Sequence, residues 1–148
     1  MIERRGNSFN IRNMTENDFR FKHSELIEYY QLIEMRLKAI CVAILADEGK
    51  NWFESLNDYE TDSFGTLIKK ITELQEQKQV YLLSKDDLSQ LNGLRKTRNY
   101  WAHQCFGGQQ PITFKKDELK RQEFASKIIA DLNEAIKWDE KLTKKMNK

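Results

Sequence analysis

Apolar residues recur at helical spacing along most of this chain. Phe19, Leu26, Tyr30, Ile33, Leu37, Ile40 and Ile44 keep one phase, predicting a long helix from about Asn17 to Asp47. Thr15 followed by Asp18 is a capping-box signature for its start, and Gly49 closes it. A short helix is expected over Asn51 to Leu56, ahead of a polar loop from Asn57 to Asp62. The third helix runs from about Phe64 to Gln77, with Leu67, Ile68, Ile71 and Leu74 as its inner face. Ser84 and Asp87 form a second capping box, opening a helix that reaches Phe106. Gly107-Gly108 ends it, Pro111 sits in the following loop, and Ile112 to Phe114 reads as a short extended piece. A last helix spans about Lys116 to Lys144, aligning Phe124, Ile128, Leu132, Ala135 and Leu142. The lysine-rich end from Lys141 to Lys148 is expected to fray. No strand-like alternation, internal repeat or low-complexity tract competes. The pattern predicts an all-α fold, an antiparallel bundle of four main helices plus one short one. Residues 1–14 read as an irregular arm and 15–148 as a single domain.

Composition narrows this picture. The chain has 148 residues, enough for a real core without staples, and one proline and six glycines leave room for long helices. No apolar run approaches the roughly 20 residues of a membrane span, and Met1 to Arg5 lacks a signal-peptide core. No membrane role is expected. Cys41 and Cys105 both fall on apolar helical faces, which reads as two buried reduced thiols and a cytoplasmic location. Two histidines and two scattered cysteines argue against a zinc site, so neither metal nor cofactor is expected.

The net charge is only +2, but its distribution is uneven. From Leu88 to Lys116 there is no carboxylate, while Arg95, Lys96, Arg98, Lys115 and Lys116 are cationic. Tyr100, Trp101, Phe106 and Phe114 lie among them. Cations for phosphates interleaved with rings for bases are what an RNA surface requires. Arg95, Lys96 and Tyr100 are the candidate RNA-binding residues, although the rings equally suit a core and the cations a solvated face.

Within that stretch, Leu91, Leu94, Ala102 and Cys105 converge on one helical face, with Arg98 in its middle, within about 20° of Leu91. A guanidinium cannot be neutralised at any usable pH, so burial demands an acidic partner, a subunit interface or an anionic ligand. His103 is the only side chain nearby that titrates near neutral pH. Arg98 lies about 140° from it around an α-helical axis. One helix cannot easily point both groups at a single phosphate. Two copies around a two-fold axis can, predicting a homodimer with a composite site at the interface.

Arg98-Asn99-Tyr100-Trp101-Ala102-His103 resembles the signature of the HEPN superfamily (higher eukaryotes and prokaryotes nucleotide-binding domain). That signature is Arg, four to six residues, then His, with Asn, Asp or His often following the Arg. The late position of the motif in an all-α chain is also similar. The resemblance implies a metal-independent endoribonuclease, usually dimeric, often a toxin or antiphage-defence effector, with an antitoxin or nucleotidyltransferase as partner. Arg98, His103 and Asn99 are then the candidate catalytic residues. His103 takes a proton from the ribose 2′-OH or gives one to the departing 5′-oxygen. Arg98 stabilises charge on the phosphate oxygens. Asn99 either bonds the imidazole or positions the phosphate. The products would be a 2′,3′-cyclic phosphate and a 5′-OH.

Blander readings stand beside this one. Arg98 can be a structural arginine paired with Glu34 or Glu28 on the first helix, and His103 can have no role. His23 shows no partner in the sequence and reads as structural. The alternative function is a non-catalytic module that binds RNA, a nucleotide or another protein.

Overall fold

The computed structural model describes residues 14–45, 52–104 and 118–147. These form α1 (Glu16–Ile44), α2 (Trp52–Asn57), α3 (Phe64–Lys78), α4 (Lys85–Asn99) and α5 (Glu118–Met146). A π-helical turn, Tyr100–Gln104, continues directly from α4. No strand occurs among the described residues, so the fold is all-α. Residues 1–13 of the expected arm, Gly49, Cys105, Phe106, the Gly107-Gly108 stop, Pro111, Ile112 to Phe114, Lys115 and Lys116 lie outside them, whereas Met14 is described and buried.

Both capping boxes form. The Thr15 N–H donates to Asp18 Oδ2 and the Asp18 N–H to Thr15 Oγ1, each at 3.0 Å. Ser84 and Asp87 make the same reciprocal pair, again at 3.0 Å. Two of the orphan N–H groups at each helix start are thereby satisfied. Helix α3 has a third cap, Ser63, whose Oγ accepts from the Thr66 N–H at 3.3 Å.

The described residues divide into two compact units, those within Met1–Tyr30 and Thr97–Lys137 and those within Gln31–Lys96 and Trp138–Lys148. In the first, Phe19, Leu26 and Tyr30 of α1 are buried, as are Trp101 and, on α5, Ala125, Ile128, Ile129, Leu132 and Ala135. Phe124 is half-buried and packs its ring edge-on to Phe19 at 5.9 Å. Lys22 is also buried and pairs with Glu25 at 3.3 Å.

In the second unit, Ile33, Leu37, Ile40 and Ile44 of α1 are buried beside Phe64, Leu67, Ile71, Leu91, Leu94, Trp138 and Leu142. The α3 face differs from expectation at one position. Gln75, not Leu74, takes the buried place one turn beyond Ile71. Its amide is tolerated there because it is fully used. Oε1 accepts from the Leu82 and Leu83 N–H groups at 3.0 and 2.9 Å, and Nε2 donates to the Leu83 carbonyl at 3.0 Å. That amide holds the α3–α4 loop, which leaves α3 through Gln79 in the left-handed conformation, φ 55°. The end of α5 also departs from expectation. The helix continues to Met146, because Lys141 and Lys145 reach Asp87 at the start of α4, at 2.7 and 3.9 Å.

Cys41 is a buried free thiol whose pKa burial pushes up to about 12, against the lowering influence of Lys70. It is protonated at neutral pH and poorly suited to nucleophilic work. No helix among the described residues is long and apolar enough to cross a membrane.

Candidate functional site

The stretch from Arg98 to His103 contains the one place among the described residues where α-helix gives way to π-helix. Single π-turns are rare, less favourable than α-helix, and concentrated at functional positions. Arg98 and Asn99 close α4, while Tyr100 and His103 stand on the π-turn, and all four belong to the first unit. Arg95 and Lys96 belong to the second.

Arg98 is half-buried, and its Nη1 donates to Asn99 Oδ1 at 2.8 Å. The Asn99 oxygen therefore orients the guanidinium, and among the described residues no hydrogen bond joins Asn99 to His103. His103 is exposed. Ala102 is exposed too, contrary to its expected place on the apolar face, and Trp101 is fully buried beside it. The physical reason is size. An indole buries far more apolar surface than one methyl group, so the turn settles with the indole inward.

The π-turn also changes the angular relation of the two key side chains. An unbroken α-helix would hold Arg98 and His103 about 140° apart. A turn closing to the fifth residue advances less per residue, which narrows that gap. A shared site no longer requires a second copy on angular grounds alone.

Trp101 is held from two sides. Its Nε1–H donates to Asp131 Oδ2 at 2.6 Å, and its carbonyl lies 2.8 Å from His23 Nε2. His23 stacks on Phe19 with ring centroids 6.5 Å apart and meets Trp101 nearly edge-on at 6.0 Å. Lys127 pairs with Asp131 at 3.2 Å and places its ammonium 4.9 Å over the Tyr100 ring. One face of Tyr100 is thus already covered by a cation, and its ring packs edge-on against Trp101 at 5.0 Å. A base can stack only on the remaining face. Lys127 therefore joins Arg98 as a cation of this unit, a role the sequence reading assigned to no α5 residue. The Lys127–Asp131 spacing of four was the available signal, but such pairs are common on solvated helices.

In the other unit, Arg95 Nε donates to Asn92 Oδ1 at 2.9 Å. Its stem crosses α3 at Gly65, where an added Cβ would meet Arg95 Cδ at 2.9 Å. Lys96 is exposed.

Tyr30 has its hydroxyl buried without a hydrogen-bond partner among the described residues. Burial, then the negative charges of Asp131 and Glu134, raises its pKa far above the ordinary tyrosine value, so it stays neutral. Among the described residues no group of three or more His, Cys, Asp or Glu side chains is placed to hold a metal ion. Comparisons with family models, curated proteins and solved structures give no match to this chain.

Proposed function

We propose that this protein is an endoribonuclease of the HEPN type that cleaves RNA through its own 2′-OH. The observation that carries this reading is the placement of an exposed His103 on a π-turn that follows directly from the Arg98–Asn99 pair. An exposed imidazole can meet a ribose, and a guanidinium oriented by a neighbouring amide is directed before substrate arrives.

In the reaction, the ribose 2′-oxygen attacks the adjacent phosphorus and the bond to the 5′-oxygen breaks. His103 accepts the 2′-OH proton. A second proton, from the partner copy's imidazole in a homodimer or from water, goes to the leaving 5′-oxygen. Arg98 stabilises charge on the non-bridging oxygens. Arg95 and Lys96 contact backbone phosphates, Tyr100 stacks on a base with its uncovered face, and Lys127 contributes a further positive charge. A homodimer remains the arrangement the family resemblance implies, and its role is to bring two copies of His103 to one cleft.

The test is incubation of purified protein with a mixed RNA pool in EDTA, followed by analysis of fragment ends. The expected ends are 2′,3′-cyclic phosphate and 5′-OH. Intact RNA across pH 5–9, or cleavage abolished by EDTA, would overturn the reading.

A further inference from the structure

We infer that His23 is a positioning residue for this site, acting by hydrogen-bonding the backbone of the π-turn that carries His103. The inference rests on the ribonuclease reading for its catalytic consequence, and on geometry alone for the hold on the turn.

His23 and Trp101 are 78 residues apart in sequence, yet His23 Nε2 approaches the Trp101 carbonyl oxygen to 2.8 Å. A carbonyl only accepts, so Nε2 carries the proton and donates. Both the Nε2–H neutral tautomer and the imidazolium satisfy this. Carbonyls in the last turn of a helix need donors from outside it, and a π-turn persists only where its surroundings hold it. His23 supplies that donor from α1, while Asp131 on α5 fixes the same residue through its indole at 2.6 Å. Trp101 thus has both backbone and side chain tied to neighbouring helices. It also stands between Arg98 and His103 in the chain, so fixing it fixes the rotation of the turn and the direction in which the imidazole leaves. Catalytic groups must be held to within about 0.5 Å of productive geometry. A misplacement of about 1 Å is enough to reduce a rate about a hundredfold.

Two substitutions separate the donor from the ring. His23→Phe keeps an aromatic against Phe19 and Trp101 but removes the N–H. His23→Gln loses the ring but keeps an N–H at similar reach. Urea unfolding, amide hydrogen exchange over residues 99–104, and the kcat and KM for RNA cleavage are measured for each variant. In His23→Phe the turn amides should exchange about tenfold faster, while α3 amides keep their parent rate. The kcat should fall about ten- to a hundredfold, with KM changing less than about twofold. His23→Gln should recover most of both losses. If His23→Phe does not fold, the isosteric pair His23→Gln and His23→Glu makes the same comparison, since the carboxylate cannot donate.

Parent-like exchange and kcat in His23→Phe would overturn the inference. So would losses matching only the unfolded fraction with no recovery in His23→Gln, which mark a purely structural histidine. Parent protein that leaves RNA intact removes the ribonuclease reading and the catalytic consequence together. The exchange measurement then still decides whether His23 holds the turn.

Discussion

Along α1 the apolar stripe from Phe19 to Ile44 is buried at each of its seven positions, while the opposite side is mostly polar apart from the exposed Phe21 and Met35. Along Thr97–Gln104 that order breaks: Arg98 is half-buried, Trp101 fully buried, and Ala102 and His103 exposed. In α1 many aliphatic side chains reinforce one phase, so no single residue can alter it. In the π-turn a few directed contacts act on particular atoms: Asn99 on the guanidinium, His23 on a carbonyl, Asp131 on an indole N–H. Repetition builds a scaffold. Individually specified polar contacts build a site, and they tolerate a backbone that regular packing would not.

Truncating Trp101 should break this contrast most severely. Trp101→Ala removes the largest fully buried side chain among the described residues together with its bond to Asp131, and should cost about 3–5 kcal/mol in urea unfolding. Trp101→Phe retains most of the packing but leaves Asp131 without that donor, at about 1–2 kcal/mol. A cost below about 1 kcal/mol for the alanine variant would mean that the turn is not anchored through this ring.

A smaller effect is expected where α4 begins, at a cap as regular as the one on α1. Burial pushes the Asp87 carboxyl up, but the Lys141 hydrogen bond, the Ser84 N–H and hydroxyl, and the Lys141 charge outweigh it, leaving its pKa below the usual value. A carboxyl depressed in the folded state adds stability above its unfolded pKa of about 3.9 and loses it as pH falls through the lower folded value. Urea midpoints of the parent should therefore drop below about pH 4 more steeply than those of Asp87→Asn. At neutral pH Asp87→Ala should cost about 1–2 kcal/mol. Parallel acid limbs for parent and Asp87→Asn would contradict this assignment.

The smallest effect has the opposite sign. Tyr30→Phe removes a buried hydroxyl that has no hydrogen-bond partner among the described residues, so it should be neutral or stabilising by up to about 1 kcal/mol. A clear destabilisation would show that the hydroxyl is hydrogen-bonded in solution and that α1 is less uniform than its stripe.

These expectations also mark how much could be read from residues alone. The α1 stripe and the boxes at Thr15/Asp18 and Ser84/Asp87 were legible because periodicity and capping are local codes. Gln75 was not, because its amide is satisfied by backbone seven and eight residues onward. At the site, Arg98, Asn99 and His103 stood out by type and spacing. The π-turn did not, since nothing in Tyr100-Trp101-Ala102-His103-Gln104 departs from ordinary helix formers. His23 read as partnerless because its partner is a main-chain carbonyl, which carries no residue-type signal.

The most direct test of the central claim compares single-turnover RNA cleavage by the parent and by His103→Ala at equal folded concentration, with binding measured alongside. The rate for His103→Ala should be at least about a hundredfold lower, the usual scale for losing a general acid–base. RNA affinity should be nearly unchanged, because arginine and lysine supply most of it. A His103→Ala variant that cleaves at the parent rate would contradict it.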